Sequence, residues 1–501
     1  MARLGQDIGV TQLESPSRKS SVLPRIDMYC ALGVVLIVGG IAATLTRTTP
    51  DTFDSKVMGQ VATNLVNHHS VRIHVQGFNQ PYSFYGIGMS LFMIPGVLAA
   101  KVLRVGDVVG TMVTNAWVLA LLSGVVYAWT RLRKYSAGVS VVVAVLIGIG
   151  GGLLNLASTG LAEIVLALCV ATGLLGLSAI HQQRTWGPYV LGAAVGAGVV
   201  TRDDSALLIM PWLVIGAVVV AARERRKLVV IRAVLAGLPF LALWGTYNAV
   251  RYGVPWQFAS GEDVIFNHSL LTGSYGLLLS PGQGLLFYVP LLVVSAPGLV
   301  LTWRHERALS IVAVGLVVSR IPFYAHYSIW WGGGSFGPRY LLPAMPTLAV
   351  GLAPVIHAFR RYPWWRKSVI VVIASLSCSV GFIGAAVYYA HNPVEVAIFQ
   401  HARLGSFDSI VKYFGAPSTE AKDDHYEFDW GKFPITAEAR QFVHRRYVGA
   451  AALARPSDKL RAGLGASCVL LGMLFVVLGA RDPTGRPTRR IHSGRARPTP
   501  E

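Results

Sequence analysis

Charge is what this sequence has least of. Only 14% of its 501 residues are Asp, Glu, Lys or Arg, against about 25% in ordinary soluble proteins. A chain of this length with so little charge cannot clothe a large soluble surface, which excludes a soluble globular enzyme. Cysteine is scarce too. Cys30, Cys169, Cys378 and Cys468 each sit inside an apolar run, where they read as small buried hydrophobes and not as disulfides or metal ligands. No CxxC or HExxH spacing occurs, so the sequence offers no zinc motif. No Walker pattern occurs either, and the glycine-rich stretches around Gly148–Gly152 and Gly192/Gly196 read as helix packing instead of phosphate loops. Acidic residues are the scarcest charges, 24 against 44 basic, for a net charge of +20. The basic residues cluster in short loops between apolar runs. That pattern orients a chain in a membrane and does not describe a nucleic-acid surface.

What the sequence has in abundance is apolar length. Hydrophobic residues make up 53% and the mean hydropathy is +0.52. Runs near 20 residues recur from end to end, the mark of a polytopic all-α membrane protein. Twelve spans are expected, near 28–46, 107–130, 137–157, 159–180, 187–201, 205–222, 228–249, 285–303, 308–326, 341–359, 368–390 and 462–480. Basic clusters at Arg131–Lys134, His181–Arg184, Arg223–Lys227, Arg304–Arg307 and Arg360–Lys367 place alternate loops in the cytoplasm, with both termini inside. The stretch 83–103 is apolar but broken by Pro95. If it crossed, the Arg131–Lys134 cluster would lie outside. It is therefore expected to be interfacial or re-entrant on the outer side. The domain reading is a cytoplasmic arm over 1–27 and a membrane domain over 28–390, with its first outer loop at 47–106. An outer segment over 391–461, a last span over 462–480 and a basic cytoplasmic tail over 481–501 complete it.

Where charge is rare, its position is informative. Four groups fall on the expected outer face: Asp51 with Asp54, Arg202 with Asp203 and Asp204, Glu262 with Asp263, and Arg339. After Asp54 the residues Val57, Met58, Val61, Ala62 and Leu65 recur at helical spacing. Asp54 then opens an amphipathic helix lying on the membrane, and two readings stay open. Asp51 or Asp54 caps that helix, or a carboxylate acts as a general base on an acceptor hydroxyl. Arg202 beside hydrocarbon is either a functional cation or an ion-pair partner of Asp203 or Asp204. Arg339, in Gly337-Pro338-Arg339-Tyr340, carries a planar fork suited to phosphate or anchors a lipid headgroup. Trp330 and Trp331 either stack on a sugar or belong to the interfacial aromatic belt. Tyr275, Tyr340 and Asp203 are further candidates for lining a substrate cleft. His68, His69 and His74 lack ligand spacing and read as solvated loop histidines.

The order of these features resembles the GT-C superfamily, multi-span glycosyltransferases that use polyprenyl-phosphate sugars outside the cytoplasmic membrane. The carrying motifs are Asp51-Thr52-Phe53-Asp54 in the first outer loop, 275–290 (YGLLLSPGQGLLFYVP) and 337–346 (GPRYLLPAMP). The last two resemble bacterial, notably actinobacterial, members related to protein mannosyltransferases. The resemblance covers roughly 28–390 and implies a carboxylate base in the first loop, Asp54 first and Asp51 second. Arg339 and Arg202 would hold the lipid phosphate. It implies no cofactor; metal dependence, seen in some relatives, finds no support in these residues. Many relatives have an adjacent Asp-Glu pair where this chain has two aspartates three apart. The expected activity is inverting transfer of mannose, or secondarily arabinofuranose, from a polyprenyl phosphate to an envelope glycan or glycolipid, or less readily to a protein. A bacterial plasma-membrane enzyme with an outer-face site and no nucleic-acid partner follows. The rivals are a transporter or flippase for polyprenyl-linked sugars, and a non-catalytic envelope scaffold.

Overall fold

The computed structural model describes residues 25–46, 52–75, 80–223, 227–257, 266–332, 335–386, 428, 433–443 and 456–480. Every regular element among them is helical; the two isolated β-bridges, Arg72 with Tyr82 and Phe266 with Tyr327, lie in loops. Nine helical stretches among the described residues are long and apolar enough to cross a bilayer. The first two are within α1 (Arg25–Leu45) and α4 (Asp107–Leu132). The third is α7 (Glu163–His181), and the fourth joins α9 (Ser205–Leu208) to α10 (Met210–Arg223). Next come α11 (Lys227–Tyr252) and the pair α15 (Arg307–Val318) and α16 (Arg320–Ala325). The last three are a 3₁₀ turn running into α17 (Leu348–Ala358), α18 (Trp364–Ala386) and α20 (Pro456–Ala480). Between the last two lies α19 (Pro434–Val443). The protein is a multi-pass membrane protein.

The expected spans are not evenly straight helices, and they depart from that at three places. Helices α5 (Ala137–Gly150) and α6 (Leu153–Thr159) bend by 54° where Gly151 and Gly152 interrupt them. Helix α8 (Gly187–Thr201) has 15 residues. The expected span at 285–303 is split, because Pro290 interrupts the run between α13 (Leu285–Tyr288) and the 15-residue α14 (Leu291–His305). Fifteen residues rise only about 22 Å, less than the roughly 30 Å of a hydrocarbon core.

The stretch 83–103 forms α3 (Gly88–Val102), also 15 residues. A Cβ on Gly88 would strike Thr201, at the end of α8. The chain after α3 returns to α2 (Phe53–His68), where Asn67 donates to Asp107 at 3.0 Å. Both ends of α3 therefore stay on the α2 side of the bundle.

The bundle has two chemically distinct ends. One collects the ends of α2, α8, α11 and α16. The other carries Arg131, which donates to the buried Asp27 at 2.6 Å, and Arg133, which pairs with Glu306. Helix α7 runs through the middle with 78% of its span buried, against 11% for α11 and 17% for α20. The latter two present their leucines and valines to lipid. Helix α8 reaches α11 through Gly192 and Gly196, where an added Cβ would meet Ala233 backbone and the Phe240 side chain. The predicted packing role of these glycines is thus what they do.

Candidate active site

The site begins at the first turn of α2. Its N-cap is Thr52, whose hydroxyl accepts the Ser55 amide at 3.2 Å. Capping is thereby done by a neutral residue, and the Asp54 carboxylate is left free to face the protein. The reading of Asp54 as a cap is corrected by this geometry; Asp51 lies outside the described residues. Helix α2 does not lie bare on a membrane either. Val57 and Val61 pack on Ile73, Val75, Phe84 and Tyr85, while Met58 and Ala62 join the main core. Its apolar face is covered by the chain itself.

Asp54 receives two strong donors. Tyr85 OH donates to Oδ1 at 2.5 Å and Arg339 Nη2 donates to Oδ2 at 2.5 Å. The side chain keeps 17% of its exposure. Burial pushes the carboxyl up, but the Arg339 guanidinium and the Tyr85 hydroxyl outweigh it and hold Asp54 below the ordinary aspartate range. The same burial and the same carboxylate push the Tyr85 phenol well above its usual value.

The second carboxylate is Glu163, which sequence reading missed. It is the first residue of α7 and is 1% exposed. A left-handed turn at Gly160 (φ +75°) delivers it there, and a Cβ at that glycine would press on Ser55 of α2 and Met112. One oxygen of Glu163, Oε1, accepts from Arg202 Nη1 at 2.7 Å and from Arg339 Nε at 2.9 Å. The third carboxylate, Asp204, takes the Arg202 fork through Nε at 3.1 Å and Nη2 at 3.0 Å, and also the Tyr324 hydroxyl. Arg202 is thereby the ion-pair partner of Asp204, and all three of its nitrogens are engaged. Arg339 differs: Nε and Nη2 are committed, and Nη1 has no hydrogen-bond partner among the described residues. Both guanidiniums sit over the Tyr340 ring, 5.7 Å away for Arg202 and 5.4 Å for Arg339. Arg339 reaches this position from a turn at Gly337 (φ +81°), where a Cβ would collide with the Tyr288 ring. A non-glycine there is strained on both counts.

Other predicted residues fall elsewhere. Asp203 accepts Trp244 Nε1 at 2.7 Å and pairs with Arg251 at 3.6 Å. Arg251 in turn donates to the carbonyl of Tyr85 at 2.9 Å and of Ser83 at 3.3 Å. Asp203 therefore serves the loop that carries Tyr85 and does not line the Asp54 group directly. Trp330 and Trp331 are 0% and 2% exposed, which removes both from the interfacial belt. Trp331 precedes Gly332, whose added Cβ would come 3.1 Å from Arg339 Cγ. Tyr275 is exposed and stacks on Phe428 at 5.8 Å; none of its described contacts joins it to Asp54. Glu262 and Asp263 lie outside the described residues. His68, His69 and His74 are exposed. Among the described residues no three of His, Cys, Asp or Glu converge to hold a metal ion. The carboxylates of Asp54, Glu163 and Asp204 each face guanidinium.

Arg320 completes the set. It is 1% exposed, donates Nε to the Tyr340 carbonyl at 2.7 Å and lies over Tyr324. Arg202 and Arg339 thus pair with three carboxylates beside Tyr340, and Arg320 adds a third guanidinium whose charge acts on Asp204. A buried cluster of this kind is costly to assemble and is stable only when geometry pairs each charge. It sits where helices end, not along a helix middle.

No protein-family profile and no curated protein matches the chain. Solved structures do. ArnT from Cupriavidus metallidurans bound to undecaprenyl phosphate aligns with a TM-score of 0.52 at 15% identity, over 90% of this chain and 76% of that one. The Archaeoglobus fulgidus oligosaccharyltransferase in its apo form aligns with a TM-score of 0.50 at 12% identity, over 82% of this chain and 64% of that one. The fold is that of the GT-C glycosyltransferases. The chain spans under two thirds of the archaeal structure's length. In this chain one aspartate, on a helix start, faces an arginine whose Nη1 has no hydrogen-bond partner among the described residues. That arrangement can neutralise an anion and accept a proton within one side chain's reach.

Proposed function

We propose that this protein is a glycosyltransferase that moves a sugar from a polyprenyl-phosphate donor to a hydroxyl acceptor of the cell envelope. The carrying observation is the contact of Asp54 with Arg339, within a bundle of GT-C fold. On this reading the site faces the outer side of a bacterial plasma membrane; the basic loops Arg131–Lys134 and Arg304–Arg307 at the opposite end of the bundle support that orientation. The donor enters from the bilayer with its phosphate at Arg339, and Arg202 adds positive potential behind it. Charge developing on the leaving phosphate is stabilised by these fixed guanidiniums. Asp54 takes the acceptor's proton as that oxygen bonds to the anomeric carbon and the electron pair of the broken carbon–oxygen bond passes to the phosphate. One displacement inverts the anomeric configuration. Mannose is the first candidate sugar and arabinofuranose the second; a lipid-linked or wall glycan is the first candidate acceptor.

A transporter for the same lipid is less well supported, since carriers place their charges near the bilayer midplane, whereas these gather at helix ends. The test is incubation of membranes containing the protein with radiolabelled polyprenyl-phosphate mannose and, separately, arabinofuranose. Label entering an endogenous glycan with inverted configuration is the expected result. Donor moved between leaflets with no covalent product would favour the transporter.

A further inference from the structure

Asp54 and Arg339 are locked together, yet the reaction needs them apart. A carboxylate whose Oδ2 receives a guanidinium at 2.5 Å has little reason to take a proton from a hydroxyl. The same nitrogen cannot hold a donor's phosphate while it holds Asp54. Arg339 is also tethered separately. Its Nε donates to Glu163 at 2.9 Å, and Glu163 is fixed from the other side by Arg202 at 2.7 Å. Arg202 is in turn forked onto Asp204. The Arg339–Glu163 bond itself is buried, at 9% and 1% side-chain exposure, whereas Asp54 keeps 17%, a rim position like that of Arg202 at 21%. Nη1 of Arg339 already lacks a partner among the described residues.

We propose that Arg339 exchanges the Asp54 carboxylate for the donor's phosphate by turning about its Glu163 tether, so that donor binding is what releases the base and the donor must bind before the acceptor. This rests on the donor reading above. Only one hydrogen bond has to be traded. The Nε–Glu163 bond stays, Nη2 leaves Asp54 Oδ2, and Nη1 and Nη2 present a fork to two phosphate oxygens. Tyr85 stays on Oδ1, and its loop is pinned by Arg251 at the Tyr85 and Ser83 carbonyls. The freed Oδ2 is therefore the atom that meets the acceptor hydroxyl. Among the described residues the charged or titratable groups facing Asp54 are Tyr85 from the loop before α3, Arg339 from the turn after Gly337, and Arg202 and Glu163 behind Arg339. Arg339, with the Tyr85 hydroxyl and Arg202, keeps Asp54 below its ordinary range; an anionic phosphate on Arg339 offsets that guanidinium's part of the pull. A base that is weak without donor also protects the site from idle chemistry with water.

The experiment uses the full chain in lipid nanodiscs, empty and loaded with undecaprenyl phosphate, which carries the phosphate and the lipid but no sugar. Two readouts are taken: the structure of each form, and the titration of Asp54 followed by infrared difference between wild type and Asp54→Asn. The expected result is a phosphate on the Arg339 fork, Nε still on Glu163, Asp54 Oδ2 free, and the Asp54 titration midpoint raised. Saturable binding with the Asp54–Arg339 contact intact and the midpoint unmoved would overturn the exchange and leave the donor reading standing. Absence of saturable binding would take down both.

Discussion

At Asp54 the decisive fact is that Thr52, and not the aspartate, satisfies the helix start. Asp54→Asn keeps the shape and the Tyr85 contact but cannot accept a proton, so transfer falls by about 10² to 10⁴-fold while undecaprenyl phosphate binding persists in an equilibrium binding assay. Arg339→Lys is not a conservative change. A single ammonium cannot hold Glu163 and a phosphate fork together, and initial rates fall by about 10²-fold or more. Glu163→Gln leaves two buried guanidiniums short of a partner and destabilises the protein by about 3 kcal/mol or more; chemical denaturation in detergent reads this. How far these residues were legible in sequence follows from their surroundings. Asp54, Arg202 and Arg339 stood out as charges at the edges of apolar runs. Glu163 did not, because it was folded into an expected span at 159–180, although a lone acid in such a run is itself a signal. Tyr85 gave no signal at all. Its partner is 31 positions away, and Arg339 lies 176 from Glu163 and 285 from Asp54, separations that periodicity cannot bridge.

At the scale of elements, the site depends on turns that aim helix ends. Helix α2 ends against its own following loop, α7 starts from the left-handed Gly160, and Arg339 follows the left-handed Gly337. Gly337→Ala forces a side chain into Tyr288 at an unfavourable φ and displaces Arg339. It is expected to lower donor affinity more than it lowers thermal stability, which paired binding and unfolding measurements distinguish. The long spans were readable because hydropathy reports length directly. The bend between α5 and α6, the brevity of α8 and the split at Pro290 were not, because each keeps an apolar composition while glycine or proline changes the path of the backbone.

Over the whole molecule, the two bundle ends divide the labour. The Asp27–Arg131 and Arg133–Glu306 pairs tie one end, and the pairing of Arg202 and Arg339 with Asp54, Glu163 and Asp204 organises the other. Asp54 and Asp204 are both held below the ordinary aspartate value despite burial. A depressed folded value means stability that is fully present above the unfolded value of about 3.9 and lost as pH falls through the folded one. Thermal unfolding midpoints are therefore expected to stay level from neutral pH to about 4 and to drop below it. In Asp54→Asn the drop is shallower, since one of the two groups no longer titrates.

The proposed role of Asp54 is that of the base in a transfer from polyprenyl phosphate. It is tested most directly by comparing wild type and Asp54→Asn in membranes from a strain lacking the protein, supplied with radiolabelled polyprenyl-phosphate mannose and arabinofuranose. Label transferred to an envelope glycan by wild type and lost with Asp54→Asn, at equal protein levels and equal undecaprenyl phosphate binding, is the predicted result. Equal transfer by both forms would contradict it.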